Sequence, residues 1–286
     1  MRDIIALRRC ARVRAGNRSR GESSPSADGG YRAWLRRLRG AEVRGGVTTQ
    51  RDGAISVSVT AARPPRRPVG WFDRWVAQSM PVGAAALNIG AGANRSGDLE
   101  RVRARAGRLV GVDPSDRIHH NMQVDERYQQ SLEQFAPGHA GEFDVAFSVF
   151  VLEHVEDPEG FARSSAQVLK PGGTLMGLTV NRWHYFGFTT WAATRLGVSE
   201  WLLDKVRDDV DYHYPTEYRC NTVRAMSRVL SRAGFSSVEF RMWDLPRLYT
   251  PYLPKPLVGV APLWSRAAYR LRQPRLMGNL TFKAIL

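Results

Sequence analysis

Apolar and polar positions change rhythm near residue 70. Upstream, residues 1–66 scatter single apolar positions among Arg, Gly and Ser with no sustained period, which predicts a mostly disordered N-terminal extension. From Trp71 the chain reads as regular elements. WFDRWVAQSM sets Trp71, Phe72, Trp75 and Val76 on one side of a short helix. AAALNI follows as a buried strand, then a glycine turn, then DLERVRARAG as a helix ending at Gly107. RLVGVD and EFDVAFSVF are two further strands, a helix covers EGFARSSAQVL, and KPGG turns into the strand TLMGLTV. Later, NTVRAMSRVLSRAGF carries Val223, Met226, Val229 and Leu230 at helical spacing, and FSSVEF and NLTFKAIL read as strands. Strands that alternate with helices, without hairpin turns between them, predict parallel crossovers. The expected fold is therefore α/β: a doubly wound, Rossmann-like sheet over residues 67–286, mostly parallel, with an antiparallel C-terminal edge strand. An insertion at about 181–220, rich in Trp183, Tyr185, Phe186, Phe188, Trp191 and Trp201, predicts a helical, aromatic cap over a substrate pocket.

Ligands of such sheets bind beyond the carboxyl ends of the strands, where ALNIGAGANRSG lies. A dinucleotide turn requires G-x-G-x-x-G. Counting from Gly90 and Gly92, the third position is Arg95, whose side chain opposes that reading. No Gly-Lys pair follows for a phosphate-binding loop. Two close backbone approaches without an anion-specific group suit a neutral or zwitterionic nucleoside. Asp113 ends the next strand, 21 residues after Gly92. Its carboxylate is able to accept from both ribose hydroxyls of an adenosine group; capping the turn at Pro114-Ser115 is the competing role. On the first reading, Asp113→Ala would weaken ligand binding and leave the unliganded melt nearly unchanged.

The glycine turn, the acid ending the next strand, FDVAFSVFVLEHVEDP and LKPGGTL, in this order and spacing, resemble the class I S-adenosylmethionine-dependent methyltransferases. They are similar to the group acting in ubiquinone and menaquinone biosynthesis. The resemblance implies S-adenosyl-L-methionine as cofactor and no metal. Carried onto this sequence, it implies that Gly90 and Gly92 line the methionine part and that Asp113 holds the ribose. Ser131 and Leu132 would contact adenine, while Ser148 and Val149 would face the amino group. Two positions depart from the pattern. Asn88 stands where an acid is usual, and Asn94 where a third glycine is usual. Asn88 still accepts a hydrogen bond but brings no charge, and Asn94 tolerates left-handed backbone better than most residues.

Methyl transfer from a sulfonium needs mainly alignment, and a base only if the acceptor must lose a proton. Histidine fits that task near neutral pH. His154 in LEHVEDP, His184 in NRWHYFGF and His213 in DYHYPTEYR are the candidates, with His184 and His213 favoured because they fall in the cap. The expected activity is methyl transfer to a small-molecule or lipid-linked acceptor, to oxygen before carbon or nitrogen.

Charge changes this picture little. Sixteen of the 42 Lys and Arg residues, against five of the 27 acids, fall within residues 1–67. The rest of the chain is only mildly basic, which disfavours nucleic acid as the partner. A nucleic-acid methyltransferase that uses the basic tail, and a non-catalytic cofactor-binding protein, stay open as alternatives. Two cysteines without metal-ligand spacing and no apolar run near the ~20 residues of a membrane span point to a cytoplasmic protein. The apolar, Pro-rich stretch LYTPYLPKPLVGVAPLW, with arginines after it, leaves room for peripheral membrane contact. Oligomeric state is unknown from sequence.

Overall fold

The structure, a computed structural model, describes residues 50–52, 55–94, 99–196, 216–250, 253 and 258–286. Among the described residues, nine strands form one sheet in the order β1-β2-β8-β9-β7-β6-β3-β4-β5. They are β1 Gln50–Asp52, β2 Ile55–Ala61, β3 Ala84–Ile89, β4 Ala106–Val112, β5 Glu126–Tyr128, β6 Phe143–Val149, β7 Leu169–Val180, β8 Ser237–Trp243 and β9 Asn279–Ile285. The helices are α1 Pro68–Ser79, α2 Glu100–Arg105, α3 Leu132–Phe135, α4 Pro158–Val168, α5 Tyr185–Arg195, α6 Val223–Arg232 and α7 Val260–Arg270.

Side-chain alternation along the strands divides the core into two layers. Ala86, Val145, Phe147, Met176 and Leu178 meet Phe72, Trp75 and Val76 of α1 on one face. Their strand neighbours Leu87, Ala146 and Leu175 meet Phe161 and Val168 of α4 and Met226 and Leu230 of α6 on the other. Helices on both faces of a largely parallel sheet are the expected doubly wound arrangement.

Two details differ from the sequence expectation. The sheet reaches back to Gln50, upstream of the boundary expected at residue 67. β2 runs parallel to β8 across Ser56–Ala61 and buries Ile55, Val57 and Ala61. Residues 1–49 of the expected extension lie outside the described residues. The C-terminal strand β9 is antiparallel, as expected, to both β7 and β8. It lies inside the sheet instead of at its edge, because β8 and the unforeseen β2 and β1 continue the sheet beyond it.

Candidate cofactor and methyl-acceptor site

The site gathers at the carboxyl ends of β3, β4 and β6. Gly90, Gly92 and Asn94 follow β3 with φ of 68°, 43° and 32°, left-handed backbone that favours Gly and then Asn. A Cβ at Gly90 would stand 2.3 Å from Val151 Cγ2, so this glycine is required by the protein's own packing as well as by any ligand. The turn is tied to β4: the Gly90 and Ala91 N–H groups donate to the Val112 carbonyl at 2.8 and 3.2 Å. Arg95, which decided against a dinucleotide turn, lies outside the described residues.

Asp113 joins the two loops. Its Oδ2 accepts from Gly92 N–H at 2.9 Å and its Oδ1 from Ser115 N–H at 2.8 Å. Burial raises its pKa, opposed in part by those two donors. The carboxylate therefore has the capping role and keeps further capacity, since two oxygens offer about four acceptor positions. At the same end of the sheet are Asn88, buried on β3, and Ser148, buried near the end of β6. Ser148 Oγ and Asn94 Nδ2 are buried with no hydrogen-bond partner among the described residues. Buried polar groups are normally satisfied, so these two, at the same end of the sheet as a carboxylate with spare acceptor positions, fit a polar ligand such as S-adenosylmethionine. Val149 is half-buried beyond Ser148.

Ser131 and Leu132 occupy the start of α3. The Ser131 hydroxyl accepts from Gln134 N–H at 3.3 Å while Gln134 returns a bond to the Ser131 N–H at 3.0 Å. This reciprocal cap engages the Ser131 side chain, and the Leu132 side chain is buried in the core. The Ser131 hydroxyl, an acceptor in this cap, keeps its own O–H as a donor.

The three histidines separate. His154 is half-buried, one turn beyond β6. His213 lies outside the described residues, as does Trp201. His184 corrects the expectation of a cap base: its ring has no exposed surface. Its Nδ1 accepts from Phe186 N–H at 3.4 Å to cap α5, and its Nε2 lies 3.3 Å from Asp244 Oδ1. Tyr185 and Tyr249 crowd the ring at 4.0 and 4.7 Å between centroids. Burial pushes its pKa down to about 3 and that of Asp244 up to about 6. His184 is a core histidine that no acceptor reaches.

Sequence reasoning passed over Glu153. It is buried and accepts from Thr179 Oγ1 at 2.7 Å, and Thr179 in turn accepts from Asn221 Nδ2 at 2.6 Å. The Glu153 carbonyl takes the N–H groups of Glu217 and Tyr218 at 2.7 and 3.1 Å, which fastens the end of the cap insertion to the turn that holds His154. An acid inside the apolar run FVLEHV was the available signal.

The geometry changes the expectation for Asp113→Ala. S-adenosylmethionine affinity should fall by about 1–3 kcal/mol, the range for losing a hydrogen bond to a charged group. The melt should also move, because the buried Gly92 N–H and the part-buried Ser115 N–H would lose their acceptor. At roughly 2–4 °C per kcal/mol for a domain of this size, the unliganded melting temperature should drop by several degrees. Calorimetric titration and a thermal melt check both parts. Unaltered affinity would mean that another acid holds the ribose.

A family model described as "Methyltransferase domain" matches residues 73–239. The ubiquinone biosynthesis O-methyltransferase of Aromatoleum aromaticum is 31% identical over 182 residues, 59% of this chain and 70% of that protein. The protein of the same name from Xanthomonas axonopodis pv. citri is 38% identical over 116 residues, 37% of this chain and 47% of that one, so the chain spans less than half of this second relative. Among solved structures, the YcgJ protein of Bacillus subtilis is similar in fold, with a TM-score of 0.50 at 14% identity over 76% of this chain and 97% of that one.

Proposed function

The chain belongs to the methyltransferase-domain family and is an S-adenosylmethionine-dependent methyltransferase, and from that premise we propose that it methylates an oxygen of a small, apolar or lipid-linked acceptor. The observation that carries this reading is the likeness to relatives named for O-methylation in ubiquinone biosynthesis. The cap agrees with it. Trp183 and Phe188 are exposed at the start of α5, and Tyr185, Phe186 and Trp191 beside them are half-buried. Such surfaces hold planar or apolar groups.

Bound at the carboxyl ends, S-adenosylmethionine supplies an electrophilic methyl group on a sulfonium. Asp113 would hold the ribose hydroxyls, and the Gly90 and Gly92 backbone would line the methionine part. Ser148, Val149 and Asn88 would orient the amino end, and the start of α3 at Ser131 and Leu132 would border adenine. His154 or His213 would take the acceptor's proton.

Incubation with isotopically methyl-labelled S-adenosylmethionine and paired acceptors tests the class: alkylated catechols and phenols against the corresponding anilines and alkylamines. Label recovered as aryl methyl ether is the expected result. Label confined to amines, to carbon or to added nucleic acid would overturn the oxygen reading.

A further inference from the structure

α7 leaves apolar residues exposed on its outer side. Ala261, Ser265, Ala268 and Tyr269 face the protein. Val260 and Leu263 are 48% and 61% exposed, and Leu271, just past the helix end, is 62% exposed. With exposed Ala267 they recur at intervals of three, four and four residues, one continuous stripe along the outer surface. Exposed Arg266 and Arg270 run along its flank, and Val258 extends it beyond the N-terminus. Isolated exposed apolar residues are ordinary on protein surfaces, whereas a contiguous patch marks an interaction site.

Charge narrows the choice of partner. Residues 245–286 contain seven Lys and Arg and no Asp or Glu. The helix is held firmly: Trp264 Nε1–H donates to the Leu276 carbonyl at 2.8 Å, and its ring packs edge-on against Tyr185 at 5.7 Å. That contact sets α7 beside the start of α5, where Trp183 and Phe188 are exposed and where residues 182–196 also contain no acid.

We propose that the outer face of α7 docks the protein on an anionic lipid bilayer, with the Val260–Leu263–Leu271 stripe in the acyl boundary and Arg266 and Arg270 on headgroup phosphates. An amphipathic helix with Arg beside an apolar face lies in the interface plane and gains from both apolar burial and anionic charge. A two-fold contact with a second copy would press the same acid-free, arginine-bearing surface against itself. Among the described residues no helix is long and apolar enough to cross a membrane, so docking is peripheral. The surface adjoins the cap, which would let an acceptor with an apolar tail enter from the bilayer.

Vesicle flotation of the full chain tests the proposal, with phosphatidylcholine vesicles lacking or containing phosphatidylglycerol. The chain should float with the anionic vesicles only. Leu263→Glu should reduce the bound fraction by roughly tenfold or more. Arg266→Ala combined with Arg270→Ala should weaken binding and make what remains less sensitive to salt. Both variants alter exposed positions and should melt as the parent does. Every variant keeps the arginine-rich N-terminal segment, so undiminished flotation of Leu263→Glu would assign lipid binding to that segment and overturn the proposal. Failure of the parent chain to float would overturn it as well. So would light scattering in which Leu263→Glu converts an oligomer to a monomer while flotation is unchanged. None of these readouts involves methyl transfer, so they stand or fall separately from the acceptor class.

Discussion

Deleting residues 1–61 is expected to abolish the cooperative thermal melt, whereas deleting residues 1–49 should leave it in place. The difference is β1 and β2. β2 pairs with β8 over six residues, Ser56 to Ala61. Ile55 and Val57 are almost wholly buried within the layer that includes Phe240, Leu230 and Tyr269. Burying one such side chain contributes about 1.5–3 kcal/mol, so these two account for roughly 3–6 kcal/mol of a net stability typically near 5–15 kcal/mol. Loss of the strand also opens the α6 and α7 side of the core to water. Circular dichroism melts of the two truncated chains decide it: superimposable, cooperative transitions would show that β2 is dispensable.

Replacing the proton acceptor should cost turnover about 100- to 10,000-fold, the usual span for a general base, and leave S-adenosylmethionine affinity within a few-fold. His154→Gln and His213→Gln are the informative variants. His154 follows Glu153, whose carbonyl holds Glu217 and Tyr218, and those residues follow His213 by four and five positions. The turn beyond β6 that carries His154 is thus where the segment at Glu217 and Tyr218 is held; His213 itself lies outside the described residues. His184→Gln serves as the control. It removes a side chain that caps α5 and packs against Tyr249, so it should lower the melting temperature by more than it lowers turnover of the protein that remains folded. The readouts are product formation and calorimetric cofactor binding once an acceptor is in hand. Normal turnover in both His154→Gln and His213→Gln would mean that no protein base is used, and a nitrogen or carbon nucleophile would then replace oxygen.

What the sequence made legible is what short-range pattern controls. The β3 turn was readable because left-handed backbone selects Gly90 and Gly92, and the end of β4 because Asp113 closes an apolar run; Ser148, inside the run VAFSVFVL, was reached only through the family resemblance. β2 was missed although Ile55, Val57, Val59 and Ala61 alternate with Ser and Thr. The surrounding Arg, Gly and Ser lowered the average over any longer window and hid a strand of seven residues. The burial of His184 was illegible for a different reason. Its facing carboxylate, Asp244, and the rings of Tyr249 and Trp264 are brought to it by strand order, and no spacing near residue 184 encodes them. Glu153 lies between these cases. Its burial was signalled locally, but its partner Thr179 is set by the pairing of β6 with β7.

The parallel pairing of β2 with β8 also bears on how the chain is made. Apart from the three-residue β1, β2 has only β8 as a strand neighbour, and roughly 175 residues separate Ala61 from Ser237. At synthesis rates of about 5–20 residues per second, the ribosome takes roughly 9–35 s to deliver the partner. During that interval Ile-Ser-Val-Ser-Val-Thr-Ala emerges as an alternating segment with an open ladder, the kind of sequence that pairs with whichever edge it meets first. For the growing chain, β2 is thus a strand that waits for its partner.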